Sequence, residues 1–197
     1  MQPDHLLNQI EAVLFASEAP VPALVLRQLL DEQQDRQMLN SLLAELNQRY
    51  CDTALELVET ASGYRMQVRA QYGATLQHLW PERNIKLSTA LLETLTVIAY
   101  RQPVTRSDIE QLRGVTVNSQ ILRTLFDRQW IAERGYRDVA GRPALLVTTR
   151  QFLDAFGLRS LAELPTLGDT VQHLSAVNVP KAEFGREMNA QQDSKQR

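Results

Sequence analysis

The chain has 197 residues, of which 44% are hydrophobic and 22% charged, with 8 Gly, 8 Pro and a single Cys. Collagen-like, mucin-like and disulfide-framework proteins are excluded, and the length fits one or two small domains. The formal net charge of −2 is unevenly spread. Residues 1–80 carry 5 basic against 10 acidic side chains, residues 81–165 carry 12 against 9, and residues 166–197 carry 4 of each. A surplus of +3 in the middle segment is too weak to demand nucleic acid, since sequence-independent DNA affinity needs many clustered phosphate contacts.

Leu6, Leu7, Ile10, Val13 and Leu14 fall on one stripe and predict a helix over about 4–16. The APVP stretch at 19–22 stops it. Pro22 suits the first turn of a second helix, with Leu24, Leu26, Leu29 and Leu30 as its apolar positions. A third helix over about 35–50 places Leu39, Leu42, Leu43, Leu46 and Tyr50 on one face, and Cys51 just beyond it reads as a small buried or half-buried thiol. The period then changes to two. Leu55, Leu57 and Glu59 alternate with Glu56, Val58 and Thr60, and after Gly63 the run YRMQVR alternates again, which predicts a β-hairpin. A short helix over about 71–80 follows, and PERNIKL at 81–87 reads as a linker.

The same order then begins again. Ser88 caps a helix carrying Leu91, Leu92, Leu95, Ile98 and Ala99, which ends at Gln102-Pro103 because the residue before Pro is pushed out of the α region. Thr105-Arg106-Ser107-Asp108 reads as a capping box opening a short helix that stops at Gly114. A third helix over about 117–129 buries Ile121, Leu122, Leu125 and Phe126 and turns Gln120, Arg123, Thr124 and Asp127 outward. Strands over 131–136 and 144–149 flank RDVAGRP, and Thr149 caps a last helix through Phe152 and Phe156. The expected fold class is mainly α with small β-hairpins (α+β). Its architecture is two tandem winged-helix domains, 1–80 and 88–165, with the tail 166–197 expected to be disordered.

No convergent nucleophile, base or metal-ligand set is visible. His5, His78 and His173 fall in three different contexts, and no phosphate-cradling or nucleophile-elbow string occurs. No run of about 18 apolar residues exists, and the start of the chain carries Asp4 and Glu11 where a signal peptide would be basic and then apolar, so neither secretion nor a membrane span is expected. Winged-helix geometry allows DNA reading, with Arg123 and Arg128 on the third helix and Arg134, Arg137 and Arg142 around the wing as phosphate contacts. Asp127, Glu133 and Asp138 interrupt that set. Trp80, Trp130, Tyr100 and Tyr136 are aromatic candidates for protein contact; core packing suits Trp130 better.

The strings KLSTALLETLTVIAYRQPVTRSDIEQLRGV (86–115) and GRPALLVTTRQFLDAFGLRSLAELP (141–165) resemble segregation and condensation protein B, the accessory subunit of the bacterial condensin built on SMC. The likeness spans Leu6 to Pro165, by pattern in the first half. It implies a non-enzymatic, cytoplasmic, nucleoid-associated protein without a cofactor, ATP belonging to SMC. It implies a homodimer formed largely through the N-terminal domains. That dimer binds the kleisin, segregation and condensation protein A, through the C-terminal domains and reaches SMC and chromosomal DNA through it. The resemblance implies partner-binding residues Tyr100, Arg101, Gln102, Pro103 and Thr105 at the helix-to-helix corner and Gly141, Arg142 and Pro143 in the wing; Arg123, outward on the third helix, joins them as a candidate partner contact from the winged-helix reading. Pro103 and Gly141 read equally as turn formers and Thr105 as a cap. Leu146 and Val147 stand where the family commonly has an aromatic and then a small residue.

Overall fold

The computed structural model describes residues 3–29, 36–79 and 87–165. The expected tail 166–197, the linker apart from Leu87, Leu30, Trp80 and His173 lie outside them. Helices and two small antiparallel sheets make up the described chain, arranged around two separate apolar clusters.

In the first half, α1 (Pro3–Ala16), α2 (Ala23–Gln28) and α3 (Arg36–Arg49) precede the hairpin of β1 (Leu55–Glu59) and β2 (Tyr64–Val68). Leu6, Leu7, Ile10 and Leu14 of α1 meet Leu39, Leu42, Leu43 and Leu46 of α3 in a buried cluster to which Leu57, Tyr64 and Met66 add one face of the sheet. Each fully buried leucine contributes about 1.5–3 kcal/mol relative to exposure. The α2 stripe is narrower than its leucines suggest: Leu26 is buried and Leu29 packs at the edge, but Leu24 is 64% exposed. A six-residue helix has too few turns to bury more than one line of side chains.

Arg49 reaches back to Glu11 at 2.7 Å and Asn8 at 3.1 Å, and the Tyr50 hydroxyl donates to Glu11, so α1 and α3 are also pinned at their polar edge. Cys51 is exposed rather than buried, because it sits in the turn after α3, past the end of the buried stripe. The expected helix over 71–80 begins as a 3-10 turn, Ala70–Tyr72, and continues as α4 (Gly73–Leu79).

The second half repeats the order with α5 (Thr89–Arg101), α6 (Arg106–Arg113), α7 (Ser119–Asp127), β3 (Ile131–Tyr136), β4 (Ala144–Thr148) and α8 (Arg150–Ala155). Its start signals are as read: Ser88 accepts the Leu91 N–H, Thr105 and Asp108 form a reciprocal capping box, Gly114 closes α6 at φ 69°, and Thr149 accepts the Phe152 N–H. The boundaries of α7 are tighter than 117–129, because the Asn118 side chain caps it from outside and Gln129 turns to positive φ. Thr149 serves as that helix cap and not as the last residue of β4. The core joins Leu95, Ile98, Ile109, Val117, Leu125, Trp130, Leu146 and Phe152, with Trp130 edge-on to Phe156 at 5.1 Å.

Both hairpins carry a third, single-residue partner that alternation in sequence does not reveal. Val21, just before α2, exchanges backbone hydrogen bonds with Tyr64 (2.8 and 2.9 Å), and Val104, just before α6, does so with Leu146 (3.1 and 2.7 Å). Each bridge stitches the approach to the second helix of its half onto the second strand of its hairpin.

Candidate partner-binding surface

The corner between α5 and α6 is built by local chemistry. At the end of α5, Gln102 turns its amide onto β4: its Nε2 donates to Thr148 Oγ1 at 2.9 Å, and its Oε1 accepts the Thr148 N–H at 2.8 Å. Thr105 is 1% exposed, its hydroxyl taken by the Asp108 N–H. Tyr100 is half-buried and donates its hydroxyl to the Pro165 carbonyl, whereas Arg101 and Pro103 are exposed on the outside of the corner. Gln102 and Thr105 therefore shape the corner from within, while Arg101 and Pro103 present it to solvent.

Sequence reasoning did not foresee the clamp between this corner and the wing. Asp108 accepts the Thr105 N–H at 2.8 Å and, on its two oxygens, a bidentate pair from Arg137 at 2.8 and 2.6 Å. These bonds, the Arg137 guanidinium first and the Thr105 N–H next, hold the Asp108 carboxyl down at about 2. Arg137, read from sequence as a phosphate contact, thus faces a carboxylate 29 residues away in the chain. Nothing in the local pattern could have paired them.

The α6–α7 connection is fixed in the same way. Arg106 bonds the Val117 carbonyl at 2.5 Å and the Ser119 hydroxyl at 3.2 Å, while Glu110 accepts the Val117 N–H at 3.0 Å, which with Arg106 lowers the Glu110 pKa. Arg113, 8% exposed at its side chain, ties α6 to α5 through Thr94 and Glu93.

In the wing, Gly141 and Arg142 adopt positive φ, 83° and 39°, and the Arg142 guanidinium lies 6.0 Å from the centre of the exposed Tyr136 ring. Pro143 closes the turn by accepting the Arg137 N–H. On α7, Arg123 is exposed and stands 4.0 Å from Asp127; Arg128 lies over the buried Trp130 ring at 4.9 Å, where burial lowers its pKa. Leu112, Val115 and Val139, each more than half exposed, add apolar surface to the second half. Sequence periodicity gives Leu112 with Ile109 as the apolar positions of α6, of which only Ile109 is buried, and it does not flag Val115 and Val139, which lie outside the helices and strands.

Among the described residues, no group of three or more His, Cys, Asp or Glu could hold a metal ion. Leu95, Thr96, Ala99, Tyr100, Phe152, Leu164 and Pro165 line an apolar depression with room for about one water. The surface is one of exposed arginines and aliphatic side chains on a rigid polar frame, which suits recognition of a polypeptide.

Residues 8–167 match the family described as segregation and condensation complex subunit ScpB. A segregation and condensation protein B homolog from Coxiella burnetii is 46% identical over 91% of this chain and 85% of its own length. The segregation and condensation protein B of Syntrophotalea carbinolica is 44% identical over 80% of each chain. The crystal structure of ScpB from Mycobacterium tuberculosis aligns at 34% identity over 80% of this chain and 98% of that one, with a TM-score of 0.38.

Proposed function

The chain belongs to the segregation and condensation protein B family, and from that premise we propose that it is a non-enzymatic subunit of an SMC–kleisin complex acting in chromosome condensation and segregation. In this reading residues 1–80 and 88–165 are two winged-helix domains joined by 81–87. The first dimerises and the second grips the kleisin, segregation and condensation protein A, through which SMC and chromosomal DNA are reached. The protein works in the cytoplasm at the nucleoid, without a cofactor of its own.

The observation that carries the reading is the repeated order of helix, bridge, helix, helix and hairpin, in which Val21 and Val104 take the same place relative to their hairpins. That is the element order of a helix-turn-helix unit with a β-wing. Kleisin contact is assigned to Tyr100, Arg101, Gln102, Pro103, Thr105, Arg123, Gly141, Arg142 and Pro143. Arg101, Pro103, Arg123, Gly141 and Arg142 are exposed; Gln102 and Thr105 hold the corner in shape. Aliphatic contacts give affinity and the arginines give register. Dimerisation is supported by exposed apolar side chains at the α1–α2 end of the first half, Phe15, Leu24 and Val25.

Calorimetric titration with the cognate kleisin tests the proposal. Binding at micromolar concentration is expected, weakened about tenfold by a hot-spot truncation such as Arg101→Ala or Arg142→Ala. Light scattering is expected to give a dimer. No kleisin binding, together with tight operator binding at physiological salt, would replace this reading with a DNA-binding regulator.

A further inference from the structure

The two halves touch through the turn of the first hairpin and the end of α8. Asp154, in the last turn of α8, is buried, at 5% exposure. A negative charge there opposes the helix dipole, so its burial does not serve its own helix. Its partners come instead from the other half of the chain: the Ser62 N–H donates to Oδ1 at 2.9 Å and the Ser62 hydroxyl to Oδ2 at 2.6 Å. Beside them the Ala61 N–H donates to the Leu158 carbonyl at 2.9 Å, and Arg159 stands 3.7 Å from Glu59. The positive charge of Arg65 faces Asp154.

From these contacts we infer that a polar latch, the Asp154 carboxylate receiving both donors of Ser62, sets the relative orientation of the two halves. We further infer that it opens as a two-state switch while both apolar cores stay folded. The latch does not depend on which partner the protein binds.

Three observations support opening without unfolding. The two apolar clusters share no residue, so parting the halves breaks neither. The contact is mostly hydrogen bonds and charge, which water replaces at modest cost, and not a large apolar seam. The closed state is also imperfect: the buried Nε of Arg65 finds no acceptor, although its NH2 donates to Gln67 at 2.9 Å. A buried ion with an unsatisfied donor fixes geometry more than it stabilises. Opening would hydrate Asp154 and Arg65 together and uncover Val58, whose Cγ1 lies beside Gly157.

Native-state hydrogen exchange of the full chain tests the latch, because the Ala61 and Ser62 amides are donors across the contact. Their protection is expected to exceed that of free turn amides yet fall below that of core amides, such as Tyr64 on the Val21 carbonyl. Asp154→Ala should lower the protection of both by at least about tenfold, the loss of a charged acceptor, and leave Tyr64 and the α5 amides unchanged. Ser62→Ala, which keeps the carboxylate in place and does not touch the second half, should lower Ala61 protection several-fold. Unprotected Ala61 and Ser62 amides in the unaltered chain would overturn the inference, as would exchange of these amides in step with the core or the same protection in both variants.

Discussion

Replacing Asp108 by Asn isolates the clamp between corner and wing. The amide oxygen of Asn still accepts the Thr105 N–H that completes the capping box, but the charge facing Arg137 is gone. A carboxyl pKa lowered from 3.8 to about 2 corresponds to at most about 2–3 kcal/mol of folding free energy at neutral pH. The side chains of Asp108 and Arg137 are 24% and 40% exposed, so solvent screening reduces the expected loss to about 1 kcal/mol. Because folding lowers this pKa, the contribution is complete above 3.8 and disappears as the pH falls through about 2. Urea unfolding followed by the fluorescence of the buried Trp130, in a Trp80→Phe background, measures it. The gap between the parent and Asp108→Asn should shrink steadily as the pH drops from 3.8 toward 2. A gap that persists unchanged at the acid end would refute the clamp. So would a double-mutant cycle with Arg137→Met whose costs add within about 0.3 kcal/mol.

Gly63→Ala should cost about 3 kcal/mol in a thermal or urea melt, because a Cβ there would lie 2.1 Å from the Val21 carbonyl oxygen, at φ 149°, and force apart the bridge to Tyr64. Leu125→Ala, at a fully buried α7 position, should cost about 2–5 kcal/mol by leaving a cavity under Trp130 and Ile109; a loss below about 1 kcal/mol would mean that the site collapses freely. Cys51 should react stoichiometrically with a disulfide reagent in native buffer, and a thiol that reacts only on unfolding would contradict its exposure.

What could be read in the sequence was what depends on neighbours three or four positions apart. Ser88, Thr105 with Asp108, and Thr149 announce helix starts because each cap bonds an N–H two or three residues on, and the buried leucines of α1, α3 and α5 follow the helical period. Hairpin strands were legible for the same reason, with period two. The Val21 and Val104 bridges were not, since one residue has no period. Leu24 and Cys51 were misjudged because composition suggests burial while position at a short helix or past a helix end denies it. The candidate site divides along the same line. The corner is visible as a string, but the partner that fixes it, Arg137 on Asp108, lies 29 residues away, and Ser62 lies 92 residues from Asp154.

That division bears on the choice between a protein and a duplex as partner. In the second half Arg106 faces Glu110, Arg113 faces Glu93, Arg137 faces Asp108 and Arg159 faces Glu163, all at 3.1 Å or less, with Arg123 near Asp127 at 4.0 Å. Binding a phosphate with such an arginine first means giving up its carboxylate. The exchange trades one anion for another and leaves a second negative charge beside the DNA. Affinity driven by counterion release grows with the number of phosphates neutralised, so these five paired arginines would add little to duplex binding. A polypeptide partner asks less of these pairs. Aliphatic side chains such as Leu112 and Val115 can be covered while the ion pairs stay intact at the rim, where they set register and exclude like-charged competitors.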